Sequence, residues 1–414
     1  MSTAPNARQP AIFDLRALPG RQRLDHDLSG DLERLAAHRR RRQLRRDPEY
    51  RTLRPELVRL VRGFAWDRAI PRPRADPTRP LRAAAWNVER GKRFDALREV
   101  IAGEPRLMDA DLLLLTELDV GMGRSGNRDV PAELARLTGM SYVFANQHVV
   151  LAPGDSGERD HGVANELGLH GCALLSRLPI RRFAAVTLPE YVDKFHAQEK
   201  RLGAKRALVA EIEAGAQLLT VAVIHLDPFA PARHRARQLR RVLRATAAFD
   251  DRRLLVGGDF NTSTYDLGSA PGLALNIAHK LLRFGFDGTV RQYMTPNEVF
   301  ERPVFAALAA AGLDTAGYND ADTGTIYYDV NDPDLVTKTL SYVPRSVWSW
   351  LQRRLEPWGG IVPMRLDWFA GRGLTPLRPA VLERPAIDGV LVSDHNPIFV
   401  DVELDADADA AARD

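Results

Sequence analysis

The chain has 414 residues, 45% of them hydrophobic and 27% charged, which suits a soluble globular protein with a sizeable core and excludes disordered, fibrous and membrane-spanning classes. Its net charge of +4 is unevenly divided: residues 1–82 carry 20 Arg, no Lys and 10 Asp plus Glu, a net of +10, which leaves −6 for residues 83–414. A single cysteine, Cys172, excludes an intramolecular disulfide framework and a cysteine-rich zinc site and fits a reducing compartment.

No run approaches the roughly 18–20 apolar residues that cross a bilayer, and residues 1–20 lack the basic and then apolar regions of a signal peptide, so a cytoplasmic location is expected. Residues 1–80 read as a basic helical extension with a linker. Leu32, Leu35, Leu53, Leu57, Leu60 and Val61 recur at helical spacing, and Pro48 and Pro55 divide the stretch into two or three short helices. Pro71, Pro73, Pro77 and Pro80 then make a stiff linker. The arginines at 39–42, 45 and 46 suit the phosphates of nucleic acid or an anionic membrane surface, and equally suit solvated helices packed on the next domain.

From residue 81 to 403 the chain reads as a succession of buried strands. Residues 81–89 form an apolar run ending in Asn87 and Glu89, and 112–119 repeats that design with four leucines before Glu117. Residues 171–180 read as a third strand, and 207–212 with 218–226 as a hairpin across Ala214 and Gly215. An Arg-rich amphipathic helix at 235–248 leads to a strand at 254–261, ending in Asp259 and Asn261. A helix at 301–312, a strand at 365–369 and a strand at 392–400 close the body. An aromatic-rich insertion at about 313–362 carries Tyr327, Tyr328, Tyr342, Trp348, Trp350 and Trp358, and can be an interfacial element, a base-stacking surface, a lid or ordinary packing. The acidic end, 404–414, is expected to fray.

If these strands share a sheet, their ends gather Asn87, Glu117, His225, Asp259, Asn261, Asp367, Asp394 and His395. Each alone has a bland explanation: a Glu at a strand end is usually a surface residue, and a His in an apolar strand is usually a satisfied core residue. As a set they are hard oxygen donors and imidazoles without a thiolate, which suits Mg²⁺, Mn²⁺ or Ca²⁺ and proton transfer near neutral pH.

Seven motifs in order, Trp86-Asn87-Val88, Thr116-Glu117, Gly171-Cys172-Ala173-Leu174-Leu175-Ser176-Arg177, His225-Leu226, Gly258-Asp259-Phe260-Asn261, Arg365-Leu366-Asp367-Trp368 and Ser393-Asp394-His395, resemble the endonuclease/exonuclease/phosphatase superfamily, the DNase I-like metal-dependent phosphoesterases. The resemblance implies an α/β fold, a four-layer α/β/β/α sandwich of two mixed sheets, here with the helical extension in front. It implies Mg²⁺ (or Mn²⁺) as cofactor, with Glu117 as the principal metal carboxylate, Asn87 beside it and Asp394 near the ion. It further implies that Asp259 and Asn261 contact the phosphate and the attacking water, that His395, oriented by Asp367, is the general base, and that His225 supports a phosphoryl oxygen or the leaving group.

The expected activity is hydrolysis of a phosphoester, with a phosphodiester in nucleic acid favoured. A phospholipid or sphingomyelin-type phosphodiesterase or an inositol-type phosphatase is the alternative, and a non-catalytic binding module on the same fold is the alternative from another class. No obligate protein partner is inferred. Family members often carry Asn where Cys172 stands, which reads as a small core residue. The abasic-site repair branch tends to carry Tyr where His225 stands, which marks that activity down. Residues 122–128 follow Glu117 with glycines and arginines that can cradle a phosphate or form a surface turn, making Arg124 and Asn127 candidate substrate-binding residues.

Overall fold

The leucine run Leu112, Leu113, Leu114 and Leu115 faces two cores at once, because successive side chains of a strand point to opposite faces. Leu112 and Leu114 enter a core between two sheets, and Leu113 and Leu115 enter a second core beneath helices. The computed structural model describes residues 10–68, 76, 78–155, 162–197, 199–263, 270–329 and 345–405. Pro71, Pro73, Pro77, Tyr342 and the tail from 406 lie outside these residues, as do the side chains of Ser346, Val347 and Trp358.

In chain order the strands are β1 Phe13–Asp14, β2 Arg21–Gln22, β3 Phe64–Asp67, β4 Leu81–Arg90, β5 Leu112–Val120, β6 Ser141–Val150, β7 Leu169–Ser176, β8 Ile180–Thr187, β9 Arg201–Gly203, β10 Arg206–Ala214, β11 Gln217–His225, β12 Leu254–Asp259, β13 Ile326–Asp329, β14 Ile361–Met364, β15 Asp367–Arg372, β16 Leu374–Val381, β17 Ala386–Ile387, β18 Val390–Leu391 and β19 Ile398–Leu404. One large sheet runs β1-β8-β10-β11-β12-β15, and the other runs β16-β19-β4-β5-β7-β6-β3-β2 with β9 added to β6. Both are mixed: β11 and β12 are parallel, as are β4 and β5, while their other neighbours are antiparallel.

Helices α1 Ser29–Ala36, α2 Arg41–Leu44, α3 Pro48–Val61, α4 Phe94–Gly103, α5 Pro105–Met108 and α6 Val130–Thr138 belong to the second sheet's side. There Leu35, Leu57, Leu60, Leu97, Ile101 and Leu134 pack with Trp86, Leu113 and Leu115. Helices α7 Ala232–Thr246 and α9 Arg302–Ala309 cover the first sheet, with Leu239, Val242, Val304 and Leu308 on Val209, Ile224 and Val256. The layers are thus α/β/β/α. Helix α8 Ala270–Arg291, broken at Gly285, and the helix Arg345–Leu355 frame a small separate cluster of Val290, Trp348, Leu355 and Val362.

Several sequence expectations are corrected. Pro55 lies inside α3 without dividing it. It is exposed, so the Arg51 carbonyl it cannot serve faces water. Residues 171–180 are two strands: β7 ends at Ser176, and β8 starts at Ile180 in the other sheet. The last strand starts at Ile398, since the Asn396 N–H is spent on the Thr325 carbonyl at 2.7 Å and Pro397 has none to give. The extension is woven into both sheets: β1 pairs with β8, and β3 pairs with β6.

Candidate active site

The site edge collects strand ends by direction. Parallel β4 and β5 and parallel β11 and β12 deliver their carboxyl ends, and β15 and β19, antiparallel to β12 and β4, deliver their starts. His225, Asp259 and Asp367 are direct neighbours across β11, β12 and β15. A hydrogen bond from Asn87 Nδ2 to Asp259 Oδ2 at 3.2 Å joins the two sheets here.

Glu117 reaches the cleft because β5 bulges. Its φ of 54° is left-handed, and the register slips on both flanking strands at this point. Burial acts to raise its pKa, but the Arg90 guanidinium, 3.7 Å from Oε2, and His225, 3.6 Å from Oε1, hold the carboxyl well below the usual range. Neither contact is as short as a hydrogen bond, so both oxygens remain available to a ligand.

Asp259 is the hub. Its Oδ1 accepts the Asn261 backbone N–H at 2.8 Å, and its Oδ2 accepts Asn261 Nδ2 at 3.0 Å, with His225 Nε2 3.5 Å away. Burial, then the negative charge of Asp367, raises its pKa against the pull of His395 and Lys205. Asn261 holds a left-handed φ of 51° to make these contacts.

His395 Nδ1 lies 2.8 Å from Asp367 Oδ2, and the other Asp367 oxygen is buried without a partner among the described residues. Burial alone would lower the His395 pKa; Asp367 and Asp259 overcome it and hold the ring well above its ordinary value. Its Nε2 has no hydrogen-bond partner among the described residues. The ring is fixed by Trp86 Nε1, which donates to its carbonyl at 2.8 Å, and by Ser393 Oγ, which accepts its N–H at 3.2 Å. Asp394 beside it is exposed, yet the surrounding protein still desolvates it, and this with Glu89 and Glu117 raises its pKa. In His225 burial, then the Lys205 ammonium, lowers the pKa far below the ordinary value, and its Nδ1 has no partner among the described residues.

The expected residues Asn87, Glu117, His225, Asp259, Asn261, Asp367, Asp394 and His395 therefore meet. Among the described residues the tightest acid and imidazole group is Asp259, Asp367 and His395, with ligand atoms within 4.8 Å of one another. This differs from the expected ligand set of Glu117, Asn87 and Asp394. Two carboxylates, an orphaned oxygen and a neighbouring Glu117 without a short contact suit a hard divalent cation.

Arg124 and Asn127 are not brought to the cleft. The Arg124 side chain is 1% exposed, with Nε 2.6 Å from Asp119 Oδ2 and Nη1 on Glu199. Asn127 instead ties two loops, donating to the Ala164 carbonyl and accepting from the Glu166 N–H. Cys172 is buried, and that burial pushes its thiol up to about 11, as suits a core residue.

Sequence reasoning missed Lys205 and Thr325. Lys205 Nζ donates to the Leu226 carbonyl at 2.8 Å, the same oxygen that accepts Asn261 Nδ2, and no described carboxylate lies within ion-pair distance of it. Burial pulls its pKa down against Asp227, Asp259 and Glu117. A signal was present: Lys194, Lys200 and Lys205, half of the chain's lysines, lie within one short stretch of an Arg-rich chain. Thr325, from the insertion, accepts the Asp367 N–H at 3.1 Å.

A sequence model of the Endonuclease/Exonuclease/phosphatase family matches residues 84–395. Curated protein sequences give no match. Among solved structures the chain is similar to an endonuclease/exonuclease/phosphatase from Beutenbergia cavernae, 20% identical over 79% of this chain and 72% of that one, with a TM-score of 0.45. It is also similar to the human Nocturnin catalytic domain, 17% identical over 79% of this chain and 94% of that one, with a TM-score of 0.44. The 3'-5' exonuclease from Neisseria meningitidis is 16% identical over 78% of this chain and 100% of that one, with a TM-score of 0.44. No helix among the described residues is long and apolar enough to cross a membrane.

Proposed function

Because the chain belongs to the endonuclease/exonuclease/phosphatase family, whose activity is on phosphoester bonds, we propose that it hydrolyses a phosphodiester, with nucleic acid as the substrate. The observation that carries this reading is the His395–Asp367 pair at 2.8 Å, set beside a buried carboxylate hub and His225.

Asp367 fixes the His395 ring and turns its free Nε2 toward the reacting water. The ring acts as a base once it has lost the proton that Asp367 and Asp259 favour. The neutral imidazole takes the water proton as the water oxygen bonds to phosphorus, and Asp367 stabilises the imidazolium that forms. The bond from phosphorus to the leaving oxygen breaks, that oxygen taking a proton from solvent. Asn261, whose amide group donates to Asp259 Oδ2 and to the Leu226 carbonyl, orients Asp259 and leaves its own Oδ1 to accept from the attacking water. His225 supports the phosphoryl oxygen or the departing oxygen, and the Lys205 ammonium offers its spare donors to the charge that develops there. A divalent cation would be held by Glu117 and Asp394, with Asn87 beside them, since the Asp259 oxygens already accept three N–H groups and Glu117 makes no contact as short as a hydrogen bond. The Asp367 oxygen that His395 does not engage would be a further donor. When bound, a divalent cation such as Mg²⁺ neutralises phosphoryl charge and orients the diester.

A lipid phosphodiester is the second reading, favoured by Leu275 and Leu282 on α8, which are 75% and 89% exposed. The test is a substrate panel of plasmid, single-stranded DNA, RNA, sphingomyelin liposomes and inositol phosphates, each with Mg²⁺ and with EDTA. Glu117→Ala and His395→Ala are expected to abolish the metal-dependent hydrolysis with circular dichroism unchanged. Activity retained in either variant contradicts the assigned roles, and turnover of liposomes alone rejects nucleic acid.

A further inference from the structure

Two loops, those following β8 and β11, carry exposed aromatic rings. Tyr191 is 41% exposed and Phe229 is 44% exposed. Both loops are rigidly held. His234 Nε2 and Gln238 Nε2, from α7, lie 3.0 and 2.8 Å from the Pro189 carbonyl, and the Asp227 N–H donates to Gln238 Oε1 at 3.0 Å. The Tyr191 ring lies 5.2 Å from the His234 ring. Lys194 Nζ lies 4.3 Å from the Phe229 ring centre and 3.3 Å from Asp227 Oδ1.

This rim joins the site on one side, because Leu226, next to Asp227, gives its carbonyl to Lys205 and Asn261. On the other side it joins the basic extension. Arg41 Nη2 is 2.8 Å from Asp193 Oδ1, and Lys200 Nζ donates to the His38 carbonyl at 2.8 Å, which docks α2 beside the loop. Around that contact Arg39, Arg40, Arg42, Arg45 and Arg46 are exposed, and no described carboxylate pairs with any of them. The rim's own Asp193 and Asp227 are neutralised by Arg41 and Lys194.

Unpaired guanidiniums beside exposed rings suit a polyanion that also carries flat, unstacked bases. We propose that the rim and the arginines in and flanking α2 form a docking platform for single-stranded nucleic acid, with bases on Tyr191 and Phe229 and phosphates on Arg39, Arg40, Arg42, Arg45 and Arg46. A duplex keeps its bases stacked inside and offers these rings nothing, so the platform selects single strands. The proposal rests on the phosphodiesterase reading only for the cleavage of a docked strand; the platform itself lies outside the catalytic residues and is tested separately.

The test is fluorescence anisotropy of a labelled single-stranded oligonucleotide with the full chain in EDTA, at several salt concentrations. Tyr191→Ala with Phe229→Ala is expected to weaken binding about tenfold or more at fixed salt, and Tyr191→Phe to retain it. Arg40→Ala, Arg42→Ala and Arg45→Ala together are expected to flatten the log–log salt slope by up to about 2, at about 0.7 per lost phosphate contact. Equal affinities for all variants, with melting temperatures like the parent's, overturn the platform. So does binding to anionic phospholipid vesicles with none to the oligonucleotide. Hydrolysis of bis(p-nitrophenyl) phosphate by the parent protein separates the two claims. Hydrolysis with unaltered variant affinities removes the platform alone, and weakened variants without hydrolysis remove the phosphodiesterase reading alone.

Discussion

Replacing Arg124 by Met decides whether this residue binds substrate or holds the fold. Its guanidinium is buried against Asp119, with Nε–Oδ2 at 2.6 Å and Nη2–Oδ1 at 3.0 Å, and against Glu199. Asp119 also lies 2.8 Å from His170 Nδ1, and Glu199 is also held by Arg201. Removal of Arg124 therefore strips the cation from two buried carboxylates that keep one partner each. Breaking a buried pair in this way costs about 3–5 kcal/mol, a large share of a total stability of about 5–15 kcal/mol. Equilibrium urea unfolding followed by circular dichroism reads the loss. The effect has a pH signature. Burial works to raise both carboxyls, yet the arginines hold them below their ordinary values, so the stability they add is present at neutral pH and is lost as they protonate at low pH. The gap between parent and Arg124→Met is therefore expected to shrink below about pH 4. Unchanged stability together with a raised KM would refute this account and return Arg124 to the substrate.

His148 and His170 are buried with lowered pKa values, chiefly through burial, so below about pH 6.5 the unfolded chain takes up two protons that the folded chain refuses. These two residues are expected to make stability fall with pH there by at most about 2.7 kcal/mol per unit, read as the parent's slope less that of a His148→Gln, His170→Gln double variant, and identical slopes between pH 6.5 and 5 contradict it. Gly258 has φ 128°, and a Cβ there would sit 2.2 Å from the Ile224 carbonyl oxygen. Gly258→Ala is expected to cost at least about 2 kcal/mol in a urea melt, and a wild-type midpoint refutes the close approach. Lys205→Met is expected to lower kcat/KM by about tenfold or more with little change in melting temperature, and unchanged kinetics removes Lys205 from the site.

What the sequence could tell was set by where polarity and apolarity coincide with an element. The runs before Glu117, His225 and Asp259 are apolar but for Thr116 and Thr220, so their strands and the turn into the cleft stood out. Strand β6 did not: Asn146, Gln147 and His148 interrupt it, yet all three are buried. Asn146 and Gln147 serve carbonyls of other segments, Leu60 at 2.9 Å and Arg206 at 2.7 Å, a tertiary use that no local pattern reveals. The site residues were legible because chemistry restricts their type. Arg124 misled for the same reason, since a guanidinium near a metal carboxylate suits a phosphate as well as it suits Asp119. The +10 extension looked separable by composition, whereas Leu35, Leu44, Leu57 and Leu60 share the core of the second sheet. Its charge lies on the face those leucines leave exposed.

The most direct test of the account is steady-state hydrolysis of bis(p-nitrophenyl) phosphate by the purified full chain, with Mg²⁺ and with EDTA, alongside His395→Ala. The account predicts turnover that needs the divalent cation and falls at least about a hundredfold in His395→Ala. Turnover that persists in EDTA, or that survives the loss of His395, contradicts it.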